Sequence, residues 1–118
     1  MQIVNITRQQ TLATAARMAE NPLTRFVGLV GKRSMPPGAA LILHPCAGVH
    51  MFGMRFAIDA LYLDHARRVV RTVAGLAPWR VGPLDPAAAS VIELPAGTIA
   101  ATATSIGDQI AFEKNEDG

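Results

Sequence analysis

Apolar residues fall in short runs broken by Gly, Pro and polar positions, the pattern of a chain built mainly from short strands. Residues 2–7 alternate only weakly, Ile3, Asn5 and Thr7 against Gln2, Val4 and Ile6, but their β-branched content predicts a strand. Residues 10–18 fit two periods: Ala and Met favour helix, whereas Leu12 and Thr14 against Ala13 and Ala15 fit a second strand, which is preferred. Asn21-Pro22 is a helix start, with Asn21 as N-cap and Pro22 at the first helical position. Leu23, Phe26, Val27 and Val30 then recur at helical spacing as far as a C-capping Gly31, which predicts a short amphipathic helix over 22–30. Gly28 inside it costs about 1 kcal/mol against Ala and marks a close backbone approach.

Residues 40–44 predict a buried strand ended by Pro45. Residues 57–63 and 69–73, joined by a turn at 64–67, predict a β-hairpin. Gly75, Pro78, Gly82, Pro83 and Pro86 make residues 74–90 a long loop carrying Trp79 and Arg80, and a loop of that length inside a domain usually serves a function or covers a site. A strand over 90–94, one helical turn over 98–103 and a last strand over 109–113 complete the chain, with turns at Pro95-Ala96-Gly97 and Gly107-Asp108. Six or seven strands, roughly, with local connections and one short helix predict an α+β fold. It is expected as a small single domain over residues 1–113 with a curled, mostly antiparallel, barrel-like sheet, followed by a disordered tail at 114–118.

Composition narrows the function classes. At 118 residues, 50% hydrophobic and 17% charged, the chain is long and apolar enough for a real core, and 5% aromatic content makes that core aliphatic. Eleven basic against nine acidic residues give a net charge of +2, too small a margin to imply nucleic acid, and the pairs Lys32-Arg33 and Arg67-Arg68 lack interleaved aromatics. Cys46 is the only cysteine, which rules out an intrachain disulfide; without CxxC or paired-His spacing, no metal and no cofactor are expected. No run reaches the ~18 apolar residues of a membrane helix, and the N-terminus has no basic segment followed by an apolar one, so a soluble, cytoplasmic protein without a membrane span is expected. Oligomeric state is left open.

The most informative stretch is His50 to Asp64, a Gly-broken turn with His50 and Arg55 running into an apolar strand that embeds Asp59. A charge inside an apolar run must be paired or hydrogen-bonded. Asp59, and Glu93 among Val91, Ile92 and Leu94, therefore admit two readings: a carboxylate at a pocket floor suited to acid/base work, or a structural ion pair with an Arg. Met51, Met54 and Phe52 are read as core, and His44 and His65 rank below His50 as ligand-contacting groups. A metal site from His50, Asp59 and Glu93 has no local ligand spacing, and a Cys46 nucleophile assisted by His50 has no oxyanion motif.

The elements Arg25-x-x-Gly28-Leu29-x-Gly31-x-Arg33, Leu41-Ile42-Leu43-x-Pro45-Cys46, His50-x-x-Gly53-Met54-Arg55-Phe56-x-Ile58-Asp59-x-x-Tyr62-Leu63-Asp64, Val91-Ile92-Glu93-Leu94-Pro95-Ala96-Gly97 and Gly107-Asp108 together resemble the domain of unknown function 192 family, over residues 10–112. The resemblance implies a small prokaryotic α+β domain with a curled sheet and no assigned activity. Arg25, Gly28, Arg33, Asp59, Glu93 and Gly97 match the family pattern directly, whereas His50-Met51 and Met54 stand where other members commonly carry Trp-Met and Thr. Many members look exported, with a signal or lipoprotein segment ahead of the domain, and this chain is expected to depart from them in that respect.

The expected function is a binding or accessory module. Its cleft would be walled by the His50–Asp59 stretch, the 75–90 loop and the Arg25–Arg33 helix end. Arg25, Arg33 and Arg55, with His50, Asp59 and Glu93, would line a site for a small anionic or carbohydrate-like ligand or an acidic peptide of a protein partner. The alternatives are a hydrolytic enzyme using Asp59 or Glu93 as general acid/base with His50, and a structural subunit with an exposed apolar patch.

Overall fold

Residues 58–63 and 90–94 lack the polar/apolar alternation of a half-exposed strand, as a strand covered on both faces requires. The computed structural model, which describes residues 1–19 and 33–115, places both in the middle of a sheet. The elements are β1 (Gln2–Asn5), β2 (Gln10–Ala13), β3 (Ala15–Ala19), β4 (Ala39–Leu43), β5 (Ile58–Leu63), β6 (Val69–Leu76), β7 (Ser90–Pro95), α1 (Thr98–Thr102) and β8 (Ile110–Glu113). The helix expected over 22–30, with Arg25 and Gly28, lies outside the described residues, as does the end of the tail at 116–118.

A five-stranded sheet has the order β3-β4-β7-β5-β6, and a three-stranded sheet the order β2-β1-β8. Every pairing is antiparallel except β3 with β4. The fold is therefore α+β and mostly antiparallel, as expected, with the two sheets joined at the isolated Arg68–Gln109 bridge in a barrel-like arrangement that is not fully closed. The ambiguous stretch 10–18 is strand, as preferred, but in two pieces: Thr14 interrupts it, and the Thr14 and Ala15 N–H groups both donate to the Gly38 carbonyl at 2.9 Å. The hairpin extends to Leu76, so the long loop covers 77–89.

Pleating assigns the two faces of the larger sheet. One carries Ile42, Leu61, Leu63, Ile92 and Leu94, which pack on Ile3, Leu12 and Ile110 of the smaller sheet and on Ile99 of α1. The other carries Leu41, Leu43 and Ile58 beneath Met51 and Met54, and Ala60, Tyr62 and Val91 beneath Val49. A layer of loop thus covers the sheet opposite the second sheet.

The two turns beyond the smaller sheet are tied by one buried carboxylate. Asp108 Oδ2 accepts from Asn5 Nδ2 (2.9 Å), Arg8 Nε (3.0 Å) and the Ser105 N–H (2.9 Å). Burial pushes its pKa up, but these donors outweigh it and hold the carboxyl below its ordinary value. A folded-state pKa that is depressed contributes stability above the unfolded value of 3.8 and loses it as pH falls through the folded pKa. Asp108→Ala, which strands three donors, is expected to cost about 3 kcal/mol by urea denaturation at pH 7, with a smaller difference from the parent below pH 4. A loss below about 1 kcal/mol would remove the network as a stabilising element.

Candidate functional site

Asp59 is 1% exposed and has both oxygens engaged: Oδ1 accepts from the Gly75 N–H at 2.9 Å, and Oδ2 from Gly97 (3.1 Å) and Ile99 (2.8 Å). Among the described residues its partners are backbone donors rather than an arginine. Gly75 sits at φ 65° opposite an irregularity between Ile58 and Ala60, and Gly97, at φ 97°, begins α1. The carboxylate braces a bend in β6 and the start of the helix.

Glu93, 5% exposed, pairs across the sheet with Leu41 and Ala60, whereas Asp59 pairs with Leu94. Neighbouring residues on a strand face opposite ways. Asp59 therefore faces the core shared with α1 and the smaller sheet, and Glu93 faces the loop layer. The sheet lies between the two acids, and they cannot flank one substrate bond. Burial raises the Glu93 pKa from 4.5 to about 7, partly offset by the charge of Arg17, which lies in the same row on β3 next to Leu41.

His50 and Arg55 belong to the loop layer. The Met51 N–H donates to the Arg80 carbonyl (2.8 Å), Trp79 to Met51 (2.8 Å) and Gly82 to Val49 (2.7 Å), so residues 49–51 are zipped to 79–82. Alternation along this extended segment turns Val49 and Met51 inward and His50 and Phe52 outward. The rings of His50 and Phe52 stack with centroids 5.2 Å apart and planes at 29°, and Phe52 meets Trp79 at 6.4 Å and 39°. Phe52 is 49% exposed and Trp79 66%. The Tyr62 hydroxyl donates to the Pro83 carbonyl (2.6 Å), Arg71 pairs with Asp85 (3.0 Å), and the Asp85 N–H donates to Ala47 (2.8 Å). Gly82 is where the loop presses closest, since a Cβ there would lie 2.9 Å from Val49 Cγ1.

The profile of the domain of unknown function 192 (DUF192) family, described as "Uncharacterized ACR", matches residues 3–112. The chain belongs to the DUF192 family. It is 29% identical to a UPF0127 protein of Pyrococcus furiosus, over 95% of this chain and 98% of that one, and 32% identical to one of Pyrococcus horikoshii, over 93% and 97%. The crystal structure of a protein of unknown function from Novosphingobium aromaticivorans shares the fold at a TM-score of 0.78 and 17% identity, covering 94% of this chain and 82% of that one. A Sinorhizobium meliloti protein does so at 0.78 and 20%, covering 93% and 89%.

Within this DUF192 fold the described residues among the six singled out from sequence are dispersed. His50 and Arg55 share the loop layer, Arg33 is exposed, Arg25 is outside the described residues, and the two acids are buried on opposite faces. Cys46, half-buried, donates its thiol to the Gly48 carbonyl at 2.7 Å. Among the described residues no three His, Cys, Asp or Glu side chains converge as metal ligands, and no helix is long and apolar enough to cross a membrane. Met51 and Met54 are core as expected, but Phe52 is not. The available signal was the two-residue alternation from Val49, which puts Phe52 on the outer side with His50.

The two acids respond oppositely to neutralisation. An acid with a raised folded-state pKa binds its proton more tightly when folded, so its penalty is absent below 4.5, grows up to about 7 and is complete above. Glu93→Gln is therefore expected to raise stability at pH 8 by about 3 kcal/mol, near 10 °C in Tm, and to leave it unchanged at pH 4.5. A Tm gain that does not grow with pH would contradict this. Asp59→Asn, which keeps one acceptor oxygen but turns an NH2 donor toward backbone N–H groups, is expected to lower stability by about 3 kcal/mol at pH 7, read from the same thermal scans.

Proposed function

We propose that this chain is a small binding module whose ligand surface is the ring ladder of His50, Phe52 and Trp79, with Arg55 and Arg80 on the same loops. Its ligand is carbohydrate-like and carries an acidic group. The observation behind this reading is the backbone of Trp79. A bulky residue at φ 65° is strained by about 1–3 kcal/mol, and the side chain is 66% exposed, so burial does not offset the cost. The chain has one Trp, and it is set beside an exposed Phe. Strain kept at an exposed aromatic is expected where the ring meets a ligand.

Flat aromatic faces suit the apolar faces of sugar rings, and guanidinium groups suit carboxylate or sulfate substituents. A peptide added as an extra strand fits less well, because residues 49–51 and 79–82 already use their backbone groups on each other. Hydrolysis through paired carboxylates loses its basis, since Asp59 and Glu93 do not share a face.

Trp79 is the only tryptophan, so intrinsic fluorescence reads this surface directly. Titration with oligogalacturonate is expected to give a saturable change, with a weaker one for neutral maltooligosaccharides. Phe52→Ala is expected to weaken binding about tenfold, and Trp79→Gly, followed by calorimetry, to weaken it at least as much while leaving Tm unchanged or raised. No saturable response to either sugar series would remove the proposal.

A further inference from the structure

The loop that carries Trp79 leaves β6 next to Leu76, which pairs with Ile58 at one end of β5. At the other end, beyond Leu63, a cleft of about 200 Å3 opens, lined by His44, Asp64, His65, Arg67, Ser90 and Phe112 among others. That is the liquid volume of about seven waters, room for a small metabolite.

Ser90 is the buried polar group of this cleft. It opens β7, pairs with Leu63, and is 5% exposed. No hydrogen bond joins its hydroxyl to another described residue, and the hydroxyl is not sealed from solvent, so it stands open to a group bound in the cleft. Arg67 is held in place. Its backbone sits at φ 61°, its carbonyl accepts from the Ile110 N–H (2.9 Å), and its guanidinium carbon lies 4.2 Å above the centre of the Phe112 ring. The cleft's acid, Asp64, uses Oδ1 on the Ala66 and Arg68 N–H groups (2.9 and 3.0 Å), shaping the turn. No salt bridge joins it to Arg67 among the described residues, where the ion pairs are Arg8–Asp108 and Arg71–Asp85.

A planar guanidinium, two imidazoles and a cleft-lining hydroxyl around one small space form a donor set for a tetrahedral oxyanion. We infer that this cleft is a second ligand site, separate from the ring ladder, that takes a small hydroxylated phosphomonoester: the phosphoryl group lies among Arg67, His44, His65 and the Ser90 hydroxyl, and Asp64 accepts from a hydroxyl of the ester. Asp64 disfavours an anion without such a donor, so the ester binds more tightly than free phosphate.

Calorimetric titration of the full chain with glycerol 3-phosphate, inorganic phosphate and succinate tests this. Saturable binding of glycerol 3-phosphate is expected, about tenfold weaker for phosphate and absent for succinate. Ser90→Ala is expected to weaken it about tenfold without lowering Tm, because no described residue hydrogen-bonds the hydroxyl. His65→Gln, at an exposed turn position, and Arg67→Asn, a residue that tolerates the left-handed backbone, test the cationic groups without touching the core. No saturation by about 10 mM glycerol 3-phosphate, or unchanged affinity in all three variants, would overturn the site. Equal affinity for phosphate and the ester would overturn the ester assignment.

Discussion

The buried carboxylate of Asp59 is the constraint on which the rest of the structure depends. A carboxyl group in a strand covered on both faces is tolerable only where donors surround it, and here three backbone N–H groups do so. Each donor fixes a piece of geometry. Gly75 must take a left-handed conformation to present its N–H, which interrupts the β5–β6 ladder and bends β6 where the chain departs toward Trp79. Gly97 and Ile99 must converge from the other side, which sets the start of α1 against the core. A single side chain thereby ties together β5, the end of β6 and the helix.

The same strand parity separates the two acids. Glu93 faces a layer made of loop, where Leu41, Ala60 and their neighbours exclude water and, among the described residues, the charge of Arg17 partly offsets the burial. Asp59 is satisfied by oriented dipoles, whereas Glu93 is poised to gain a proton near neutrality. Similar sequence settings thus produce one carboxylate that acts as a brace and one that costs stability when ionised.

The loop layer explains how a fold of short strands carries recognition chemistry. Backbone pairing between residues 49–51 and 79–82, with the Tyr62–Pro83 and Arg71–Asp85 contacts, makes the long loop a fixed surface on which exposed rings are held in register. The cleft at the Leu63 end of β5 is built differently, from a tight turn and the mouth between two sheets. Both proposed sites lie at strand ends, where side chains escape the packing demands of the core.

Much of the fold was legible in the sequence because its signals are local. β-Branched and aliphatic runs marked the strands, the turn residues around 64–67 marked the hairpin, and Pro95-Ala96-Gly97 marked the turn before α1. The apolar runs around Asp59 and Glu93 marked two of those strands, and the pattern of Arg25 through Gly97 announced the family. The break at Thr14 and the failure of the two sheets to close were not legible, since both depend on contacts between distant segments, such as Gly38 with residues 14 and 15. The candidate site was only partly so: sequence determined that Asp59 and Glu93 are embedded acids and that His50, Arg55 and Trp79 sit in loops. Tertiary structure alone decided that the acids face opposite ways, that Phe52 joins Trp79 outside, and that Ser90, His44 and Arg67 share a cleft. The physical reason is that strand periodicity states which residues share a face, whereas register and the packing of layers decide what that face meets.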